Sequence, residues 1–170
     1  DNEQYVSKEL VKYTSENGTQ IVYENGKVTE IRTADNRVVK DITYDQTGNV
    51  VHAVVTYPDG RIERINGGKE LEVELPNGGV KRYEYGRLKE EEDAQGYTRT
   101  YVYESNATRI KDEKTGLEYV YDAVSNDAII GSAYLRYVVD NNGLRYDVQH
   151  NADETIALTS ITGTCIFSSG

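Results

Sequence analysis

Apolar and polar residues alternate along most of this chain with a period of two. In Arg37–Asp45, Val38, Ile42 and Tyr44 share one face with Lys40, and Asp41 and Thr43 lie on the other. In Asn49–Tyr57, Val51, Ala53, Val55 and Tyr57 alternate with Val50, His52, Val54 and Thr56. Tyr97, Tyr101 and Tyr103 fall together with Arg99, and Leu117, Tyr119 and Tyr121 repeat the arrangement. Side chains of a strand point alternately to its two faces, so this period predicts strands with one face covered and one wet.

Turn signals punctuate the alternation. They are Asn17-Gly18, Asn25-Gly26, Asp35-Asn36, Thr47-Gly48, Asp59-Gly60, Gly67-Gly68 and Asn77-Gly78. They continue as Gly86, Gln95-Gly96, Ser105-Asn106, Thr115-Gly116, Asn126-Asp127 and Asn142-Gly143. The steps are mostly about 8–12 residues, the interval of short antiparallel strands joined by tight hairpins. Asn-Gly and Asp-Gly suit type I′ turns, whose two central residues both need positive φ. The expected fold is all-β: an antiparallel hairpin meander or repeat array, either an elongated sheet or a solenoid-like stack, with a strand-like C-terminal tail.

Composition sharpens this picture. There are 15 Tyr but one Phe and no Trp or Met, and 15 Gly but two Pro. Tyr is a strand former with an apolar ring and a wet hydroxyl, suited to half-exposed sheets. Lys and Arg number 19 against 29 Asp and Glu, a net charge of −10. Such a surface repels phosphate backbones and anionic lipid, so neither nucleic acid nor a membrane is expected as partner. No apolar run approaches the roughly 18 residues of a membrane span. The lone Cys165 excludes an internal disulfide framework. The chain begins at Asp1 rather than Met, which reads as a chain processed or excised from something longer.

The two ends differ from the middle, which gives three regions: 1–16, 17–150 and 151–170. Glu3–Lys12 reads either as a short helix, with Tyr5, Val6 and Leu10 on one side, or as an extended arm. From Thr155 to Gly170 there is no charge. A charge-free, β-prone segment left on an edge invites aggregation, so it is expected to be buried. It is either the last strand of its own sheet or a strand added to a neighbouring molecule, in which case Ile156, Leu158, Ile161, Cys165, Ile166 and Phe167 form a self-assembly segment.

Candidate chemistry is sparse. Glu90-Glu91-Glu92-Asp93, just after Arg87 and Lys89, is the densest acidic run. Adjacent acids on a strand point to opposite faces and do not converge as a glycosidase pair would, so a solvated edge is expected. Asp140-Asn141-Asn142-Gly143 lacks the ligand spacing of a calcium loop and reads as a plain turn. His52 and His150 have no partners at metal-ligand spacing, and Cys165 has no nearby base. No catalytic residue, metal or cofactor is expected, and hence no enzyme. Tyr83, Tyr85, Tyr97, Tyr101, Tyr103, Tyr119 and Tyr121 fall on successive strands, as a structural ladder or a surface for sugar rings. Asn17-Gly18-Thr19 and Asn106-Ala107-Thr108 are glycosylation sequons at turns, relevant if the chain is exported.

Blocks of roughly 20 residues also resemble one another, each with Tyr, then an acidic or amide residue, then Gly, then a basic or apolar pair. Tyr23-Glu24-Asn25-Gly26-Lys27-Val28 and Tyr44-Asp45-Gln46-Thr47-Gly48-Asn49-Val50 are full copies. Tyr57-Pro58-Asp59-Gly60-Arg61-Ile62 and Tyr83-Glu84-Tyr85-Gly86-Arg87-Leu88 are shorter ones. Over about residues 17–150 the chain resembles the YD-repeat family, also called Rhs repeats, of bacterial surface and toxin-delivery proteins and teneurins. The resemblance implies an extracellular or cell-surface β-rich protein. The expected function is therefore structural: a subunit or segment of a surface fibre, filament or larger repeat assembly, a homo-oligomer or polymer joined by strand contacts. The alternatives are a carbohydrate-binding or adhesion module using the Tyr ladder, and a fragment of a YD-repeat shell.

Overall fold

The computed structural model describes residues 9–160, and Ala128 and residues 163–168 by their backbone alone. The fold is all-β and antiparallel, as the alternation predicts, with one 3-10 helix at Asp127–Ser132. The chain divides between Val80 and Lys81 into two units. The first contains β1 (Leu10–Thr14), β2 (Gln20–Glu24), β3 (Lys27–Arg32), β4 (Val38–Tyr44), β5 (Val50–Thr56), β6 (Ile62–Asn66) and β7 (Glu70–Glu74). The second contains β8 (Val80–Glu84), which starts at the boundary, β9 (Arg87–Glu92), β10 (Thr98–Tyr103), β11 (Thr108–Asp112) and β12 (Glu118–Tyr121). It ends with β13 (Leu135–Val139), β14 (Arg145–His150), β15 (Thr155–Ser160) and β16 (Gly163–Ser168). Within each unit, strands follow one another across the sheet in chain order.

The turns account for this regularity, and they correct one expectation. Most are not type I′. In Asp45–Asn49, the Gly48 amide donates to the Asp45 carbonyl at 3.1 Å and the Asp45 amide to the Asn49 carbonyl at 2.9 Å. Only Gly48, at φ 87°, is left-handed there. This is a three-residue hairpin loop closed by a glycine bulge, which needs positive φ once rather than twice. The same pair of backbone bonds closes Ser15–Thr19, Thr33–Arg37, Tyr57–Arg61, Leu75–Gly79, Asp93–Tyr97 and Asp140–Leu144. Side chains complete them: Oδ1 of Asp45 accepts from the amides of Thr47 and Asn49, and Asp93 and Asp140 do the same in their loops. The plain turn expected at Asp140–Gly143 is thus present. Two consecutive positive-φ residues occur at Asn25-Gly26 (51° and 77°), Tyr85-Gly86 (50° and 77°) and Gly67-Gly68 (63° and 74°).

At the N-terminal end, residues 1–8 of the expected helix or arm lie outside the described residues, and Leu10–Thr14 is a strand rather than helix. Its register runs from Leu10 opposite Glu24 to Thr14 opposite Gln20. Val11, Tyr13 and Thr14 are strand formers, and a ten-residue helix with nothing packed on it is marginal.

The two units differ in what they bury. Among the described residues, Ala53 is the one fully buried apolar side chain of the first unit, whereas the second buries Leu88, Ala107, Ile110, Val120, Leu135, Val138, Ile156, Ala157 and Leu158. Leu135, Val138, Ile156 and Leu158 form a cluster, with Tyr119, Tyr121, Tyr146 and Val148 against it. A second cover comes from the segment between β12 and β13, which carries the 3-10 helix. It is tied back by Asp127 Oδ1, which accepts the Leu88 amide at 3.0 Å, and by the Val124 amide, which donates to Thr108 Oγ1 at 3.1 Å.

Where apolar burial is thin, long side chains bridge strands. Arg64 holds Glu72 and Glu74 at 3.4 and 3.0 Å, and Arg82 holds Glu90 and Glu92 at 2.7 and 3.4 Å. The same Arg-Glu-Glu set therefore recurs at one fixed spacing, eight and ten residues apart in both cases. This also corrects the reading of Glu90–Glu92 as a solvated edge. β9 is an interior strand; Glu90 and Glu92 turn to Arg82 on one face, and Glu91 accepts the Tyr101 hydroxyl on the other. The alternation itself is as expected, but both faces carry a partner.

Candidate functional site

The described side chains with most chemical character converge on β8, β9 and β10. The hairpin from β8 to β9 turns on Tyr85-Gly86, so Glu84 and Arg87 flank the turn and Lys89 follows one pleat later. From Lys89, Nζ donates to Glu84 Oε2 at 3.2 Å. Arg87 lies over the Tyr103 ring, its guanidinium carbon 4.9 Å from the ring centre. The Tyr103 hydroxyl donates to the Leu88 carbonyl at 2.7 Å, so the ring is held by its far end while its face holds the cation. Together Glu84, Tyr85, Arg87, Lys89, Tyr101, Val102 and Tyr103 line a cavity of about 240 Å³.

Three features set this cleft apart. Tyr85 is in the left-handed region at φ 50° yet remains 68% exposed. A bulky residue there crowds its Cβ against the backbone at a cost of about 1 kcal/mol, and no burial offsets it. Val102, across the cleft, is 47% exposed. Finally, among the described residues no carboxylate lies within ion-pair distance of Arg87, a condition it shares with Arg32, whereas Arg64, Arg82, Arg99, Arg109 and Arg145 are all paired.

Beneath this surface the network is satisfied. The Tyr101 hydroxyl donates to Glu91, Arg99 lies 3.8 Å from Glu91, and its Nε donates to the buried Asp112 at 3.2 Å. Burial, and then the bond to ionised Glu91, raise the Tyr101 pKa well above that of a free phenol. Burial, and next the negative charge of Asp127, push Tyr103 up to about 12. Both phenols therefore stay protonated donors at neutral pH. They hold the floor of the cleft.

Of the seven tyrosines, Tyr101 and Tyr119 share a cross-strand row with Ile110, and Tyr103 and Tyr121 share one with Thr108. Tyr85, Tyr101 and Tyr103 meet at the cleft. Tyr83 is half-buried in β8, and Tyr97 closes the Asp93 loop with Lys114 over its ring at 5.7 Å. Tyr119 and Tyr121 pack on the core of the second unit, and burial raises the Tyr121 phenol. Glu84, Arg87, Lys89 and Val102 are the cleft residues that the pattern of tyrosines alone does not find. The signal for Arg87 and Lys89 was their place as a pair of cations upstream of the acidic run.

The C-terminal candidates sit elsewhere. Ile156 and Leu158 are buried in β15, between β14 and β16, and Ile161 lies outside the described residues. Cys165, Ile166 and Phe167 stand opposite Leu158, Ala157 and Ile156 in the register of β16, their side chains outside the described set. Asn17 uses its side-chain oxygen inside its own turn to accept the Thr19 amide, and Asn106 is exposed between β10 and β11, while Thr108 of its sequon is fully buried. His52 pairs with Asn66 at 2.8 Å, and His150 with the Leu135 carbonyl at 3.0 Å under Tyr134. Among the described residues, no three His, Cys, Asp or Glu side chains are grouped to hold a metal.

No family model and no curated protein matches the chain. Solved structures do. One is described as the G-box domain of the microcephaly protein CPAP, in a work suggesting a role in centriole elongation: 15% identity, 95% of this chain and 100% of that one covered, TM-score 0.38. Another is the TCP10 domain of CPAP from Danio rerio in complex with a peptide of Danio rerio STIL: 16% identity, 95% and 100% covered, TM-score 0.31. Neither is a YD-repeat protein or a surface fibre. These similarities overturn the expected extracellular or cell-surface fibre, its alternatives as an adhesion module or YD-repeat shell, and the extracellular or cell-surface location.

Proposed function

We propose that this chain is a non-catalytic protein-binding module that docks an extended segment of a partner protein in the cleft of β8, β9 and β10. One observation carries the reading: Tyr85 holds an exposed ring at a left-handed turn position. An equivalent turn carries a different residue. Asn25-Gly26 adopts the same pair of angles, and Asn enters that region readily. Local strain at an exposed aromatic is a mark of function rather than of folding. Tyr rings beside an exposed Val offer apolar contact at low entropic cost, and Arg87 adds a directional donor. The satisfied hydroxyls of Tyr101 and Tyr103 make a rigid floor, which favours docking over chemistry.

The test is selection of a random-peptide display library on the immobilised chain, repeated on Tyr85→Asn. The expected result is a set of related peptides enriched on the native chain and lost on the variant. Peptides enriched equally on both, or none on either, would overturn the reading.

A further inference from the structure

We propose that the segment docked in the cleft is anchored by one carboxylate, an Asp or Glu side chain within an otherwise apolar stretch, clasped by Arg87. This rests on the docking reading above and adds the chemistry of the ligand.

The argument begins with charge. The chain is strongly acidic, at −10, and its other cleft-facing cation, Lys89, is already neutralised by Glu84. Among the residues lining the cleft, Arg87 and Lys89 against Glu84 leave one positive charge, on Arg87; the nearby Asp127 lies outside the lining, with its Oδ1 on the Leu88 amide. A guanidinium carries five N–H donors in a planar fork. With its guanidinium carbon 4.9 Å from the Tyr103 ring centre, Arg87 has no described carboxylate on its donors, which are left to a bidentate acceptor. The face of Tyr103 cannot satisfy those donors, and no described carboxylate does.

The same sum limits the ligand. A phosphate brings nearly two negative charges to a site with one positive charge and the Glu84 carboxylate at its rim. A run of acids would meet the repulsion of the whole chain within about a Debye length, roughly 8 Å at physiological salt. One carboxylate matches the site, and its apolar neighbours match Tyr85 and Val102. As the segment covers the cleft it also removes water from the pair, which strengthens a contact that would be weak on an open surface.

The experiment uses peptides from the library selection that need Tyr85, measured by fluorescence anisotropy. The expected peptides carry one Asp or Glu beside apolar residues. Replacing that residue by Asn or Gln weakens binding about tenfold, the scale of a lost charge-assisted hydrogen bond. Arg87→Gln weakens the acidic peptide by a similar factor and leaves the amide counterpart unaffected, so the two changes are not additive. Arg87→Lys, which keeps the charge but not the fork, recovers part of the loss. Peptides that need Tyr85 but carry no acid would overturn the carboxylate and leave docking standing, as would an Arg87→Gln effect equal on both peptides. A phosphoserine peptide that binds more tightly than its Asp counterpart would overturn the single-charge assignment. Peptides indifferent to Tyr85→Asn would instead remove the docking reading itself.

Discussion

Two stretches of the molecule repeat the same local design and differ at a few positions. In residues 25–44, the turn Asn25-Gly26 leads to Lys27 and Val28; the Tyr44 hydroxyl donates to the Val28 carbonyl at 2.6 Å, and Lys27 lies over its ring at 5.2 Å. In residues 85–103, the turn Tyr85-Gly86 leads to Arg87 and Leu88; the Tyr103 hydroxyl donates to the Leu88 carbonyl at 2.7 Å, and Arg87 lies over its ring at 4.9 Å. Turn, cation, carbonyl and tyrosine correspond one to one. What both copies share is the local design, and what only one copy has is specific to it. The second copy has a strained exposed Tyr for Asn, Arg for Lys, and Asp127 tied to its backbone.

The largest expected effect breaks the difference that is structural. Asp127→Ala leaves the amide of Leu88, 4% exposed, without its acceptor, and should destabilise the second unit by about 1–3 kcal/mol in urea unfolding. The first copy has no such tie, so its amides should keep their exchange rates. Next comes Asn25→Tyr, which imports the strain into the first copy and should cost about 1 kcal/mol there. An unchanged midpoint would remove the claim that the left-handed position resists a bulky residue. Removing the ring-bound cations, Lys27→Gln and Arg87→Gln, should cost about 0.5–1 kcal/mol each by the same measurement. A much larger loss at Arg87 would mean that it supports the fold rather than a ligand.

The smallest effect is a titration. A phenol with a folded pKa above its unfolded value contributes stability that is intact below about pH 10 and lost as pH rises through the folded pKa. Tyr103, at about 12, should therefore ionise late, and the second unit should weaken between pH 10 and 12. Asp127→Asn removes the second cause of that shift, so Tyr103 should ionise earlier when followed by ultraviolet difference absorbance. No change would show that burial alone sets its pKa.

Much of the fold was legible in the residues. The alternation and the spacing of Asn, Asp and Gly specify hairpins, because strand pleat and positive φ are local properties. Local rules could not choose between a two-residue turn and a bulged loop. Asp45-Gln46-Thr47-Gly48-Asn49 became the latter because Asp45 caps two amides of its own loop. The cover between β12 and β13 was hidden for a different reason. Its key bond, Asp127 to Leu88, spans 39 residues and leaves no period in the sequence. The cleft was half legible. Tyr85, Tyr101 and Tyr103 stand out by composition, but which of the tyrosines line the cleft and which pack on the core depends on the strands around them. That Arg87 lacks a carboxylate while Arg82 has two follows from the register of three strands, which no single segment encodes.

The central claim is that Tyr85 is kept for binding against the preference of the backbone. It is tested most directly by measuring the stability of Tyr85→Asn together with its affinity for a library-selected peptide. The account predicts a chain more stable by about 1 kcal/mol, matching the relaxed Asn25 turn, that no longer binds the peptide. A variant that loses stability, or that binds as the native chain does, would contradict it.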